Sequence, residues 1–419
     1  MKFLPKSFQI FIALFLSVGI SGCNFMRLGN DLEEMREERR LISGQVVVND
    51  AVPAEGPIIL VRYQKQGENY LMRTFERLPE SLSFLVILSK QPSFLIAIED
   101  RNSDGRYNPG ERYGFWGQPS PLTMNMTTGT LEIVIDQTAA LNKTFIDDVL
   151  NFDIAYLPGQ QLNMIGAVTD LNDLNIGVSG AQIGVWQPNK FVKTKPLGIF
   201  QLQPYVADKI PVLFVHGMGG YPEQFSLFID NLDLTKFQPW VYSYPSGLRL
   251  SVVSYHLNLV LQHLHQAQHF EEIHIVAHSM GGLISRGALN RCGPSCTYGG
   301  SLTTIATPWL GHKSARSGVR MAPQVVPSWF DMQPESKFLS QLVEQNMVNT
   351  FDFNLAFAYR NQGLSRENSD GSVTLESQLA TSYQKSATHI RGINATHTTI
   401  LKTQELFEWW ENSVTKEAR

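Results

Sequence analysis

The spacing of hydrophobic and polar positions changes character several times along the chain. Residues 8–20 form a predominantly apolar run behind Lys2 and Lys6. From Ile42 to about Val134 the apolar positions fall into short runs rich in Val, Ile, Leu and Phe, at 44–48, 57–63, 83–88 and 93–98, separated by Gly, Pro and Asn. That pattern predicts a β-sandwich-like domain. From Lys209 onward, strand-length apolar runs alternate with helical spacing: 211–215 and 240–244 read as buried strands, and Val253, Leu257, Val260, Leu261 and Leu264 mark a helix that leads to a strand at 272–277. Such alternation is the sequence form of a mainly parallel sheet covered by helices, an α/β domain. Residues 138–208, with few periodic runs and Gly177, Gly180, Gly184 and Pro188, read as a strand-and-turn connection. The expected organisation is therefore 1–22, 23–41, 42–137, 138–208 and 209–414.

The apolar run at 8–20 is too short for a comfortable membrane span and follows two lysines, which marks residues 1–22 as a targeting segment. Ile20-Ser21-Gly22-Cys23 resembles the lipobox of bacterial lipoproteins. The resemblance implies cleavage before Cys23, palmitate-type acylation of that cysteine and a stable membrane anchor in the cell envelope. Asn24, standing where Asp would mark inner-membrane retention, points to the outer membrane if the cell is Gram-negative. Residues 30–41, dense in Asp, Glu and Arg, read as a solvated helix or tether.

Composition narrows the function. The 419 residues carry 43% hydrophobic and 17% charged positions with a net charge of -4, enough apolar material for two globular domains and no basic stripe for nucleic acid. Of the three cysteines, Cys292 and Cys296 remain in the expected mature chain, and in an oxidising compartment they are candidates for a small disulfide loop. Asp100, Asn102, Asp104 and Glu111 have the one-three-five-twelve spacing of a calcium loop, with Gly105 at the sharp turn. A strand rather than a helix precedes them, so a structural turn built by the same Asn, Asp and Gly is the competing reading.

The sharpest signal is Ala277-His278-Ser279-Met280-Gly281-Gly282, an apolar strand, a tight turn carrying a serine, and a small-residue entry into a helix. Small residues two before and two after the serine are what a strained strand-to-helix elbow needs, because strand and helix approach closely there. Upstream, His216-Gly217-Met218-Gly219-Gly220 closes another apolar strand with glycines able to turn backbone N–H groups toward one point.

Together these motifs resemble those of the α/β-hydrolase superfamily, and the Ala-His-Ser-Met-Gly form is similar to that of bacterial lipases and esterases; an inositol deacylase-like branch is also similar. The resemblance covers roughly 210–410. It implies an α/β-hydrolase fold behind the N-terminal β-sandwich-like domain, Ser279 as nucleophile, and Met218 and Met280 as backbone oxyanion donors. It also implies a carboxylate and a histidine following the serine in that order. Only His389 and His397 lie late enough, and His397, just before the predicted last helix, is the expected base. Asp370, in an Asp-Gly-x-Val turn, is the expected acid, with Asp331 and Glu376 in reserve. The implied activity is cleavage of a carboxylic ester, lipid esters among them, through an acyl-enzyme, with no required cofactor. An acyltransferase would share the first half-reaction, and an inactive hydrolase fold could serve as an envelope scaffold. Residues 312–330, apolar without clear period, read as a lid or a packed connection.

Overall fold

The computed structural model describes residues 6–48, 54–67, 69–78, 82–103, 106–116, 120–124, 131–150, 166–292, 296–344, 351–360 and 368–415. It begins with a long helix, α1 (Lys6–Glu38). The sandwich strands follow: β1 (Arg39–Val48), β2 (Ile58–Gln66), β3 (Asn69–Arg77), β4 (Ser83–Ser89), β5 (Phe94–Glu99), β6 (Tyr113–Trp116) and β7 (Leu131–Ile135).

These strands make two sheets, ordered β4-β1-β7 and β3-β2-β5-β6. Side chains alternate between the two faces of a strand. Ile58 and Leu60 therefore point into the core shared with Val46, Phe84, Val86 and Ile133 of the other sheet. Ile59, Val61 and Tyr63 point the opposite way, onto Phe145, Val149 and Leu150. One sheet is thus covered on both faces, and the two sheets form the sandwich that the sequence predicts.

The second unit is an eight-stranded sheet: β8 (Ala167–Val168), β9 (Gly198–Gln201), β10 (Ile210–Val215), β11 (Phe237–Ser243), β12 (Glu272–His278), β13 (Gly299–Ile305), β14 (Phe351–Tyr359) and β15 (His389–Asn394), in the order β15-β14-β13-β12-β10-β11-β9-β8. The pairings from β11 through β15 are parallel, and β9 joins β11 antiparallel. Its helices include α2 (Gly177–Trp186), α3 (Pro188–Thr194), α4 (Leu250–Gln268), α5 (Met280–Cys292), α6 (Lys313–Met321), α7 (Pro327–Met332), α8 (Lys337–Glu344) and α9 (Gln404–Thr415). Buried residues of α4 and α5 form a core with one face of the sheet, through Leu257, Leu261, Leu283 and Leu289 against Leu213, Ile275 and Leu302. On the other face, Phe407 and Trp410 of α9 pack with Phe214, Phe228 and Val276. This is an α/β-hydrolase fold.

Two expectations need correction. Residues 166–208 are not a mere connection: β8 and β9 extend the main sheet, and α2 and α3 belong to the same unit. The strands are only two and four residues long, too short to impose a visible period. Nor is the charged segment after residue 30 a solvated spacer. Leu28 has no exposed surface, Asp31 is buried, and Asp31 accepts the N–H groups of Asn189 and Lys190 at 2.8 and 2.9 Å, capping α3.

The two units meet where β3, an edge strand, lies on α4. Gln262 accepts the N–H of Arg77 at 2.9 Å and donates to its carbonyl at 3.2 Å, as a neighbouring strand would. His263 bonds the carbonyl of Phe75 at 3.2 Å and stacks on its ring. His263 is buried, and desolvation pushes its imidazole down to about 4. Among the described residues, no helix is long and apolar enough to cross a membrane.

Candidate active site

Ser279 sits between the end of β12 and the start of α5, at φ +53°. A non-glycine residue in that left-handed region costs on the order of 1–3 kcal/mol and persists only where its surroundings hold it. Here they do: the Ser279 N–H is bonded to the Ile305 carbonyl at 2.8 Å, and the Ser279 carbonyl accepts the Thr307 hydroxyl at 3.1 Å. Small neighbours are obligatory. A Cβ at Gly281 would lie 2.4 Å from the Val215 carbonyl oxygen, one at Gly282 would collide with Thr307, and one at Gly217 would press on the Ser279 side chain at 2.9 Å. Ala277, the small residue two before the serine, is fully buried in the strand.

Strand ends bring the polar partners to this elbow. His397 follows β15, and its Nε2 lies 2.9 Å from Ser279 Oγ. Its Nδ1 lies 2.6 Å from Oδ2 of Asp370, which follows β14 and has no exposed surface. The turn at Asp370-Gly371 is built around that carboxylate: Oδ1 accepts the N–H groups of Ser372 and Val373 at 2.8 and 2.7 Å. The Asp370 carbonyl accepts the N–H of His397 at 3.0 Å, tying the two loops together.

Two supporting residues are absent from the sequence expectations. Gln378 donates to Asp370 Oδ2 at 3.2 Å while bracketing β14 through both backbone groups of Ala358. His278, beside the nucleophile, donates Nε2–H to the His397 carbonyl at 2.7 Å. Burial, reinforced by the neighbouring His397, pushes His278 down to about 3, so it is a neutral prop. Only its place next to Ser279 could have drawn notice.

The loop 216–220 follows β10 and packs directly against Ser279. His216 stacks on Tyr244 and is pushed down to about 4 by burial, a structural role. Among the described residues, no hydrogen bond takes up the N–H of Met218 or Met280. Met280 opens α5, where N–H groups have no intrahelical acceptor and the helix dipole favours negative charge. Its side chain is plain core; that of Met218 is half-buried.

The remaining candidates lie elsewhere. Asp331 is bonded to Arg249 at 2.6 Å and to the N–H of Leu250, capping α4. His389 is exposed at the start of β15. Glu376, with Trp309, His312, Lys313, Leu339 and Val373, lines a groove of about 520 Å³ beside the Asp370 turn. The segment 312–330, expected as a lid or packed connection, contains α6 and the first four residues of α7. Cys292 and Cys296 are joined by a disulfide, and Cys23 is exposed on α1. In the proposed calcium loop, Asp100 is buried against Arg77 at 3.7 Å, and Glu111 accepts the N–H groups of Arg101 and Asn108 at 2.9 and 2.7 Å. Asn102 accepts from the Asn108 side chain at 3.4 Å, and Asp104 lies outside the described residues.

The chain thus has an α/β-hydrolase fold with Ser279, His397 and Asp370 in hydrogen-bond contact at strand ends of its main sheet. Residues 252–354 match the family described as "Putative serine esterase (DUF676)". Among solved structures the chain is similar to the mature form of the Bacillus licheniformis lipase BlEst2, at 17% identity over 52% of this chain and 98% of that one, with a TM-score of 0.42. It is similar to a Listeria innocua gene product at 16% identity, over 51% and 96% of the two chains, with a TM-score of 0.38. A carboxylesterase study of the thaumarchaeon Nitrososphaera gargenis supplies a third, at 11% identity over 52% and 96%, with a TM-score of 0.35. No curated protein matches.

Proposed function

We propose that the protein hydrolyses carboxylic esters by nucleophilic catalysis at Ser279. The single observation that carries this reading is the continuous contact from Ser279 Oγ through His397 to Asp370, set on a left-handed strand-to-helix turn. The family match over 252–354 is consistent with it.

In this reading Ser279 Oγ attacks the ester carbonyl while His397 Nε2 takes its proton. Asp370 holds the imidazole with Nδ1–H toward its carboxylate and stabilises the positive charge that develops. The carbonyl oxygen becomes an oxyanion facing the N–H groups of Met218 and Met280, each such donor being worth on the order of 3 kcal/mol of barrier. His397 then protonates the departing alcohol and leaves an acyl ester on Ser279. Water, deprotonated by His397, releases the acid and restores the serine. Every proton is carried by His397, and these steps call on no cofactor.

The lipobox-like Ile20-Ser21-Gly22-Cys23 supports placing this activity at a bacterial envelope membrane, with Cys23 as the lipid anchor and lipid esters among the substrates. Mass spectrometry of the protein purified from membranes tests the anchor: a diacylated or triacylated N-terminal peptide beginning at Cys23 supports it, and an unmodified Cys23 sinks it. Activity is tested by p-nitrophenyl esters of increasing chain length, with phospholipid and triglyceride emulsions alongside. Turnover should fall by at least about 10⁴-fold in Ser279→Ala, and equal turnover by wild type and variant would remove the proposal.

A further inference from the structure

We propose that α1 is a working part of the oxyanion site: through Leu28 and Leu32 it positions Met218, and with it the N–H that meets the reacting carbonyl. The inference rests on the ester-hydrolase reading above and adds residues far from it in sequence.

Leu28 and Leu32 are buried in one cluster with Val185 of α2 and Val326, and half-buried Trp186, Met218 and Trp329 pack onto it. Phe25, two residues after Cys23, stands edge-on to Trp186 at 5.3 Å, and Trp186 stands edge-on to Trp329 at 6.2 Å. The oxyanion loop is a thin layer between this cluster and the nucleophile. On one side Gly217 touches Ser279; on the other, Val185 is the nearest side chain to Gly219, 3.7 Å from where its Cβ would be. Gly219 takes φ +63°, and its N–H is fixed on Ser246 Oγ at 3.0 Å. The neighbouring residue, Gly247, is bonded to Gly184 of α2 at 2.8 Å and to Ser328 of α7 at 3.0 Å. Loop, α2 and α7 thus share one mounting, and α1 closes its outer side.

Docking of α1 is specified by polar contacts as well. Besides the Asp31 cap on α3, Lys193 holds Glu34 at 2.8 Å and Glu38 at 2.7 Å. A helix that served only as a spacer would need neither the buried Asp nor the buried Leu. An oxyanion donor acts on the transition state and little on the ground state, so misplacing it lowers kcat and leaves KM nearly unchanged.

The test compares full-length wild type, Leu28→Ala and Leu28→Met on p-nitrophenyl butyrate, each well below its own Tm. Leu28→Ala should lose about tenfold or more in kcat with KM within about twofold, and Leu28→Met, which keeps the volume, should recover most of the loss. A Leu28→Ala protein with lowered Tm but kcat within about twofold of wild type would overturn the inference, leaving α1 a purely stabilising element. Should Leu28→Ala fail to fold, Asp31→Ala is read by the same criteria. Ser279→Ala measured in parallel separates the two levels. Turnover that survives Ser279→Ala sinks the nucleophile assignment; Ser279-dependent turnover that Leu28→Ala leaves intact sinks only the role of α1.

Discussion

Asp370 has no exposed surface, so the groups around it determine how well it can hold His397. Oδ1 is taken by two backbone N–H groups and Oδ2 is divided between His397 and Gln378. Replacing Gln378 by Leu removes a hydrogen bond to a charged group, a loss of about 1.5–3 kcal/mol, and should cost roughly tenfold or more in kcat with little change in KM. Steady-state kinetics beside a melting curve checks it, and an unchanged kcat would make Gln378 a packing residue only. Ser279, Asp370 and His397 could be picked out in the sequence because each needs a local signature: small residues around an elbow, an Asp-Gly turn, a histidine ahead of the last helix. Gln378 and His278 carry no such mark. Their partners are the Asp370 carboxylate and the His397 backbone carbonyl, which become neighbours only when strand ends gather along one edge of the sheet.

At the scale of the element, α5 carries the consequences of its two ends. Its first residue presents a free N–H beside Ser279; its last, Cys292, is closed onto Cys296 by the disulfide. A loop this short removes little freedom from the unfolded chain, about 2 kcal/mol on the loop-entropy scale. Changing both cysteines to serine should therefore lower Tm by roughly 4–8 °C in a domain of this size and leave kcat within about twofold. A large loss of activity at 25 °C would show that the disulfide shapes the site. Strong periods made β10, β12, α4 and α5 readable. Unread were β8 and β9, too brief for a period, and the docking of α1, whose acidic face is satisfied by Lys193 and by the N-terminus of α3 instead of water. Sequence alone cannot distinguish a charged face that meets solvent from one that meets a helix end.

For the molecule as a whole, the seam between sandwich and hydrolase contains a carboxyl that catalysis does not use. Glu76 of β3 is 2% exposed, close to Tyr255 of α4 and Arg291 of α5, and burial pushes it up to about 8 against the pull of Arg291. Its ordinary value is 4.5, so between about pH 4.5 and 8 the folded protein keeps a proton that the unfolded chain releases. Stability contributed by this group is therefore full below that window and falls as pH rises through it. Glu76→Gln should remove the decline: its Tm should match wild type near pH 4.5 and exceed it increasingly toward pH 8. Parallel slopes in the two melting series would assign the decline to other groups. This seam was not legible beforehand, because the polar face of α4 that receives the edge of β3 has the same composition as a solvated helix.

Covalent capture tests most directly whether Ser279 is the nucleophile. A fluorophosphonate probe should label the wild-type protein, tryptic mapping should place the adduct on Ser279, and labelling should be absent in Ser279→Ala and strongly slowed in His397→Ala. An adduct on any other residue, or undiminished labelling of Ser279→Ala, would contradict that assignment.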